Sequence, residues 1–210
     1  FSLVGLKVSG PDIEDTLNGY METANAADLF VVAGYGLSGE DQAEIKQENA
    51  DVEFGYFADT VIGDTPNAIR VFSQTTDIST FELVSGEFPT KSNEVALAQT
   101  MADQYKIGDT IRLNESGSST LLKEHEFTIT GFVNFSEILS KTIKGVSSAG
   151  SGDLSGFAVV PQDAFDSEVY TIARLRYPDL RKWKTTSREY SDKVTELQQA
   201  LEEKLADNGT

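Results

Sequence analysis

Apolar positions along this chain follow two spacings, and turn residues mark where one gives way to the other. After Ser9-Gly-Pro-Asp, the residues Ile13, Leu17, Tyr20, Met21 and Ala24 recur at helical spacing and predict an opening helix. Pro11 suits its first turn, and Asp12, Glu14 and Asp15 complement the positive end of its dipole. Residues 28–33 are nearly continuous in apolar character and predict a short strand. Gly34-Tyr-Gly-Leu is a turn, and Ser38 with Asp41 three residues on forms a capping box for a helix to about Glu48. Ala43 and Ile45 are its few apolar positions. Residues 52–62, with Phe54, Tyr56, Phe57, Val61 and Ile62, predict one strand. Gly63-Asp-Thr-Pro-Asn turns the chain, and residues 68–75 return as a hairpin partner.

From Ser85 to Phe132 the order is a turn, a strand over 95–98 and a short helix over 100–105. Gly108-Asp109 then turns the chain into a strand over 110–113, and another strand follows over 126–133. Residues 145–156 form a Gly/Ser-rich loop that predicts mobility. Residues 157–161 read as a buried strand, and residues 170–177 alternate as a half-exposed strand ended by Pro178. From about Ser187, Tyr190, Val194, Leu197, Leu201 and Leu205 make a stripe that suits a core-facing helix or the start of a coiled coil. The order of elements as far as residue 75 is helix, β, α, β, β. No internal repeat is visible.

Composition narrows the function more than the fold. At 210 residues, 39% of them hydrophobic, the chain can bury a real core in one large or two small domains. Its mean hydropathy is −0.27, and no apolar run approaches a bilayer-spanning length. No basic stretch followed by an apolar core opens it as a signal peptide would. The abrupt start at Phe1-Ser-Leu-Val-Gly-Leu suggests a cut boundary. A net charge of −17 argues against a nucleic-acid partner, because phosphates are repelled at long range. The absence of cysteine excludes disulfides, thiolate metal sites and a cysteine nucleophile, and fits an extracytoplasmic domain that does without disulfides.

Catalytic chemistry is sparse. Gly34-Tyr-Gly-Leu-Ser-Gly39 matches G-x-G-x-x-G, and Asp59 lies where a dinucleotide site places its ribose acid. Glu40 and Asp41 put negative charge where a pyrophosphate needs positive potential, and the next strand returns as a hairpin, so the stretch reads as a turn plus a capped helix. His125, the single histidine, excludes a histidine-rich metal site and reads as a surface residue at a strand start. No calcium loop is present, and no cofactor or metal site is expected. A carboxylate pair assembled in space stays open as a second route to an enzyme. Arg174, Arg176, Arg181, Lys182, Lys184 and Arg188 cluster around Trp183, the single tryptophan. The cluster reads as local charge balance or as a docking patch for an acidic partner or lipid heads.

These pieces together resemble the extracytoplasmic, MacB-like periplasmic core domain of an FtsX/MacB-type ABC-transporter permease. The resemblance covers most of residues 1–178. It runs through Ala27-Asp-Leu-Phe-Val-Val-Ala, Gly36-Leu-Ser-Gly-Glu-Asp, Gly86, Asn93-Glu-Val-Ala-Leu-Ala, Ile107-Gly-Asp-Thr-Ile and Phe127-Thr-Ile-Thr-Gly-Phe. It implies a βαβ-rich porter-like α+β part at 9–76 and 171–206, and a small β-rich sabre-like insertion at 77–170. It further implies chain ends that continue into membrane helices, an extracellular position at the cell membrane and no enzymatic activity. The implied partners are the membrane-spanning remainder of the permease, a cytoplasmic ATPase subunit acting indirectly, and an extracytoplasmic protein or a peptide or lipid substrate. The dinucleotide- or carboxylate-based enzyme is the competing expectation, and a free-standing adhesin-like module is a third.

Overall fold

A computed structural model describes residues 6–10, 24–115, 120–135 and 154–209. The opening helix expected over 11–24 and most of the 145–156 loop lie outside the described residues. In chain order the first elements are β1 (Leu6–Ser9), β2 (Leu29–Ala33), α1 (Gly39–Lys46), β3 (Asp51–Gly55), β4 (Phe57–Ile62) and β5 (Ala68–Ser73). They are followed by β6 (Glu82–Gly86), β7 (Glu94–Ala98), β8 (Thr110–Glu115), β9 (Glu126–Asn134), β10 (Leu154–Val160), β11 (Ile172–Arg176) and α2 (Arg188–Ala206). The fold is α+β, with a four-stranded sheet, a mixed seven-stranded sheet and two α-helices among the described residues.

The chain divides into two compact units. One comprises Phe1–Phe54, Thr76–Ser79 and Val169–Thr210; the other comprises Gly55–Thr75 and Thr80–Glu168. Residues 55–75, expected with the porter-like part, fall in the second unit. The reason is a break in what the sequence suggested was one strand over 52–62. β3 joins a four-stranded sheet in the first unit, whereas β4 joins a seven-stranded sheet in the second. Between them Tyr56 leaves the strand pattern, its N–H donating to Ser73 Oγ at 2.9 Å.

In the first unit the sheet order is β1-β2-β11-β3. β2 runs antiparallel to both β1 and β11, with Val31 opposite Val8 and Ala173. β11 was expected to be half exposed, yet Ile172, Ala173, Arg174 and Leu175 are all buried because the strand is internal. α1 starts at the expected box: Ser38 Oγ accepts from the Asp41 N–H, and the Asp41 carboxylate accepts from the Ser38 N–H, both at 3.0 Å. α2 is capped by Ser187, whose Oγ accepts from the Tyr190 N–H at 3.2 Å. Its stripe faces the core: Tyr190, Val194, Leu201 and Leu205 are buried with Leu29, Val31, Ile45 and Leu175, and Leu197 packs at the margin. That settles the choice between core-facing helix and coiled coil in favour of the core.

Residues 76–79 are pinned within this unit from two sides. The Glu53 carboxylate accepts from the Asp77 N–H at 2.8 Å and from the Thr76 N–H at 3.1 Å. Ser79 Oγ accepts from the Ala27 N–H at 3.0 Å, and the Ser79 N–H donates to Asn25 O at 2.9 Å. Ser79 and Asn25 both have φ of 51°, a left-handed conformation that side chains other than glycine seldom adopt.

In the second unit the sheet order is β6-β9-β7-β10-β5-β4-β8, and β8 also pairs with β9. The circuit therefore closes on itself as a small barrel. β8 uses both its edges to do this. Arg112 O accepts from the Gly63 N–H at 2.9 Å on one edge, while the Leu113 N–H donates to His125 O at 2.8 Å on the other. Closure leaves β4, β5, β7, β8, β9 and β10 without open edges, while β6 pairs with β9 alone among the described strands. β4 and β5 form the expected hairpin, with Ala58 opposite Val71. The helix expected over 100–105 is only a 3-10 turn at Gln99–Met101. Phe135 stacks on Phe81 at 3.9 Å and meets Phe72 edge-on at 5.0 Å, filling one end of the core with aromatic surface.

The β6–β9 contact explains two glycines of the motif. A Cβ on Gly131 would lie 2.6 Å from Glu87 O and 2.7 Å from Ser85 O. A Cβ on Gly86, where φ is +77°, would lie 2.3 Å from Thr130 O. The two backbones can approach this closely only without side chains.

Candidate functional site around the C-terminal basic segment

The basic segment begins inside β11 and ends in the first turn of α2. Its residues divide between interior and surface. Arg174 is wholly buried in β11, opposite Phe30 of β2. Arg176 donates through Nη1 to Ala26 O at 2.7 Å, and burial, followed by the neighbouring Arg181, holds its guanidinium below the ordinary value. Pro178–Lys182 forms a 3-10 turn with Pro178 at its start, where the missing N–H costs nothing.

Asp28, the residue before β2, is the centre of this region and is 1% exposed. Its Oδ2 accepts from the Tyr177 N–H at 2.8 Å. Its Oδ1 accepts from the Tyr190 hydroxyl at 2.6 Å and from the Arg181 guanidinium. The carboxylate is thus buried with both an opposite charge and neutral donors, the condition under which a buried charge is tolerated. Burial first, and then the Asp28 charge, push the Tyr190 phenol well above its ordinary value. Burial also raises Tyr177, whose hydroxyl has no hydrogen-bond partner among the described residues.

Three of the basic side chains face water. Lys182 Nζ lies 4.4 Å from the Trp183 ring centroid, within cation–π range. Lys184 is exposed. Arg188 lies 3.9 Å from Asp192, with 92% of its side chain exposed. Trp183 is half-buried against the first unit's core. The geometry therefore brings Arg176, Arg181 and Asp28 together and leaves Lys182, Lys184 and Arg188 on the surface. Asp28 gave no signal in the sequence as an acceptor, because its donors Tyr177, Arg181 and Tyr190 lie about 150 residues further along the chain.

The other candidates are accounted for by packing. β2 is antiparallel to both neighbours, so the glycine turn after it does not open the parallel crossover a dinucleotide site needs. Gly36 has φ of +93°, and a Cβ there would lie 2.6 Å from Val169 Cγ2. Asp59 lies in β4 of the second unit, where it takes two hydrogen bonds from Arg70 at 2.7 and 3.0 Å. His125 is more enclosed than expected. Its Nε2 is 3.0 Å from the Glu115 carboxylate, with 29% of the imidazole side chain exposed. Among the described residues no group of His, Asp or Glu side chains is arranged to hold a metal. No helix among them is long and apolar enough to cross a membrane.

No protein-family model matches the chain, and no curated protein matches it significantly. Among the solved structures that it matches is the extracellular domain of a noncanonic ABC-type transporter, YknZ, from Gram-positive bacteria. That match has 11% sequence identity and a TM-score of 0.43, and covers 91% of this chain and 91% of that one.

Proposed function

We propose that this chain is the extracytoplasmic domain of an FtsX/MacB-type ABC-transporter permease, a non-catalytic module. In this reading ATP hydrolysis on the cytoplasmic side moves membrane helices, and the domain transmits that motion to an extracytoplasmic substrate or partner. The observation that carries the proposal is the path of the chain. β1 and α2, the first and last described elements, belong to the same unit, and the closed barrel is built from the residues between them. Gln198 of α2 donates to Val8 O of β1 at 3.1 Å, so the incoming and outgoing segments lie side by side. A domain carried between two membrane helices needs such paired attachment points, and an independent adhesin does not. The ordered motifs at Gly86, Asn93 to Ala98 and Phe127 to Phe132 add the family resemblance.

We assign the partner contact to the exposed Lys182, Lys184 and Arg188, with the half-buried Trp183 among them. An acidic protein surface or anionic headgroups would complement it.

Two experiments test the proposal. The encoding gene should place apolar segments of about 20 residues on both sides of this chain. A Tyr35→Cys variant of the full protein, with any cysteine outside this chain replaced, should react with a membrane-impermeant maleimide in intact cells; Tyr35 is 85% exposed. Missing apolar flanks, or labelling only after lysis, would remove the permease reading.

A further inference from the structure

We propose that Asp28 is a positioning residue that fixes α2 to the sheet of the first unit, so that helix and sheet move as one body. The apolar stripe of α2 cannot do this alone. Hydrophobic contacts are non-directional, and a helix held only by them can rotate or slide by small amounts at little cost. Hydrogen bonds to a charged acceptor are directional and short, so they specify register.

Asp28 receives such bonds from three separate stretches of chain. The Tyr177 N–H at 2.8 Å comes from the end of β11, the Arg181 guanidinium from the 3-10 turn, and the Tyr190 hydroxyl at 2.6 Å from the first turn of α2. The carboxylate itself stands at the start of β2. Moving α2 away from the sheet would strip a donor from a carboxylate that is 1% exposed, where water cannot replace it. Further along, Gln198 donates to Val8 O at 3.1 Å and Asn208 donates to the Asp41 carboxylate at 3.0 Å. These are side-chain amide contacts nearer the surface. Asp28 supplies the buried fixed point, and the amides keep the rest of the helix aligned. The coupling does not depend on the function proposed above; only its use in passing motion from a membrane helix does.

The neighbouring tyrosines give a matched test. Tyr190 and Tyr177 are both buried in the same core cluster. Only Tyr190 donates its hydroxyl to Asp28; the Tyr177 hydroxyl has no partner among the described residues. Tyr190→Phe should therefore accelerate amide hydrogen exchange over residues 188–194 by about tenfold, the scale of one hydrogen bond to a charged group. Tyr177→Phe should leave exchange there unchanged. In parallel, cysteines placed at exposed Tyr35 and Gln199 in the otherwise cysteine-free chain can carry spin labels. Their distance distribution should be narrow in the parent and in Tyr177→Phe, and broader in Tyr190→Phe. Equal effects of the two substitutions, or no effect of Tyr190→Phe on either measurement, would overturn the proposal. Asp28→Asn should exceed Tyr190→Phe in both readouts. If it fails to fold, the two tyrosine variants still decide the matter.

Discussion

The two units are held together by different kinds of information. The barrel is specified through its backbone: strands pair around a closed circuit, and glycines permit the close approach of β6 and β9. The first unit is specified through side chains: a cap, a stripe and a buried carboxylate seat one long helix on an open sheet. A unit built by closure should be sensitive to added atoms at its crossings. A unit built by seating should be sensitive to atoms removed from its helix.

The largest effect expected is in the barrel. Gly131→Ala should cost more than about 3 kcal/mol in denaturant unfolding, because both nearest atoms are backbone and neither can rotate away. Gly108→Ala is the control. Its φ is positive, +96°, which that of Gly131 is not, but it meets nothing within 4 Å, so only the backbone strain of about 1 kcal/mol is expected. If the two substitutions cost the same, the close crossing is not what selects glycine. Next is Leu201→Ala in α2, a fully buried truncation expected to cost about 3 kcal/mol; a loss below 1 kcal/mol would mean that the helix is not seated by its stripe. Ser38→Ala removes the acceptor for the Asp41 N–H and should cost about 1 kcal/mol, with faster exchange confined to α1.

The smallest effects are in pH, and they have opposite signs in the two units. Backbone N–H groups of Thr90 and Lys91 hold the Glu94 carboxyl in the barrel below its ordinary value. Its contribution is complete above the unfolded carboxylate pKa of about 4.3 and is lost as pH falls through the folded value. Glu94→Gln should flatten that part of the stability profile slightly, since the group is largely solvated. Tyr190 is raised, so its contribution holds below the unfolded phenol pKa of about 10 and is lost as pH rises. Tyr190→Phe should remove part of the alkaline loss.

Local chemistry was legible in the sequence wherever the partners are close along the chain. The Ser38–Asp41 box, the 68–73 hairpin return and the α2 stripe each need only a few neighbouring residues to be recognised. The sequence misled where distant chain decides the environment. In the apolar run of 52–62 only Gly55 marks the point at which it divides between two sheets. The alternation in 170–177 suggested an exposed face, but β2 and β3 flank the strand and Arg174 is wholly buried. The basic cluster was visible as composition, whereas the tying of Arg176 to Ala26 and of Arg181 to Asp28 depends on contacts about 150 residues apart. The helix expected over 100–105 is instead a 3-10 turn at Gln99–Met101, closed by the Ala102 N–H on Gln99 O at 3.1 Å.

β11 has a consequence for how the protein is made. It is the last strand in the chain, yet it lies between β2 and β3. During synthesis those two earlier strands emerge with unsatisfied inner edges and wait for more than a hundred residues, including the entire barrel, before their common neighbour appears. The barrel can close once β10 is out, so it completes first, while the first unit stays open until the final helix follows. A stalled or truncated chain ending before residue 172 would therefore carry a finished barrel beside two strands with nothing between them, a species that quality control should recognise by its exposed edges.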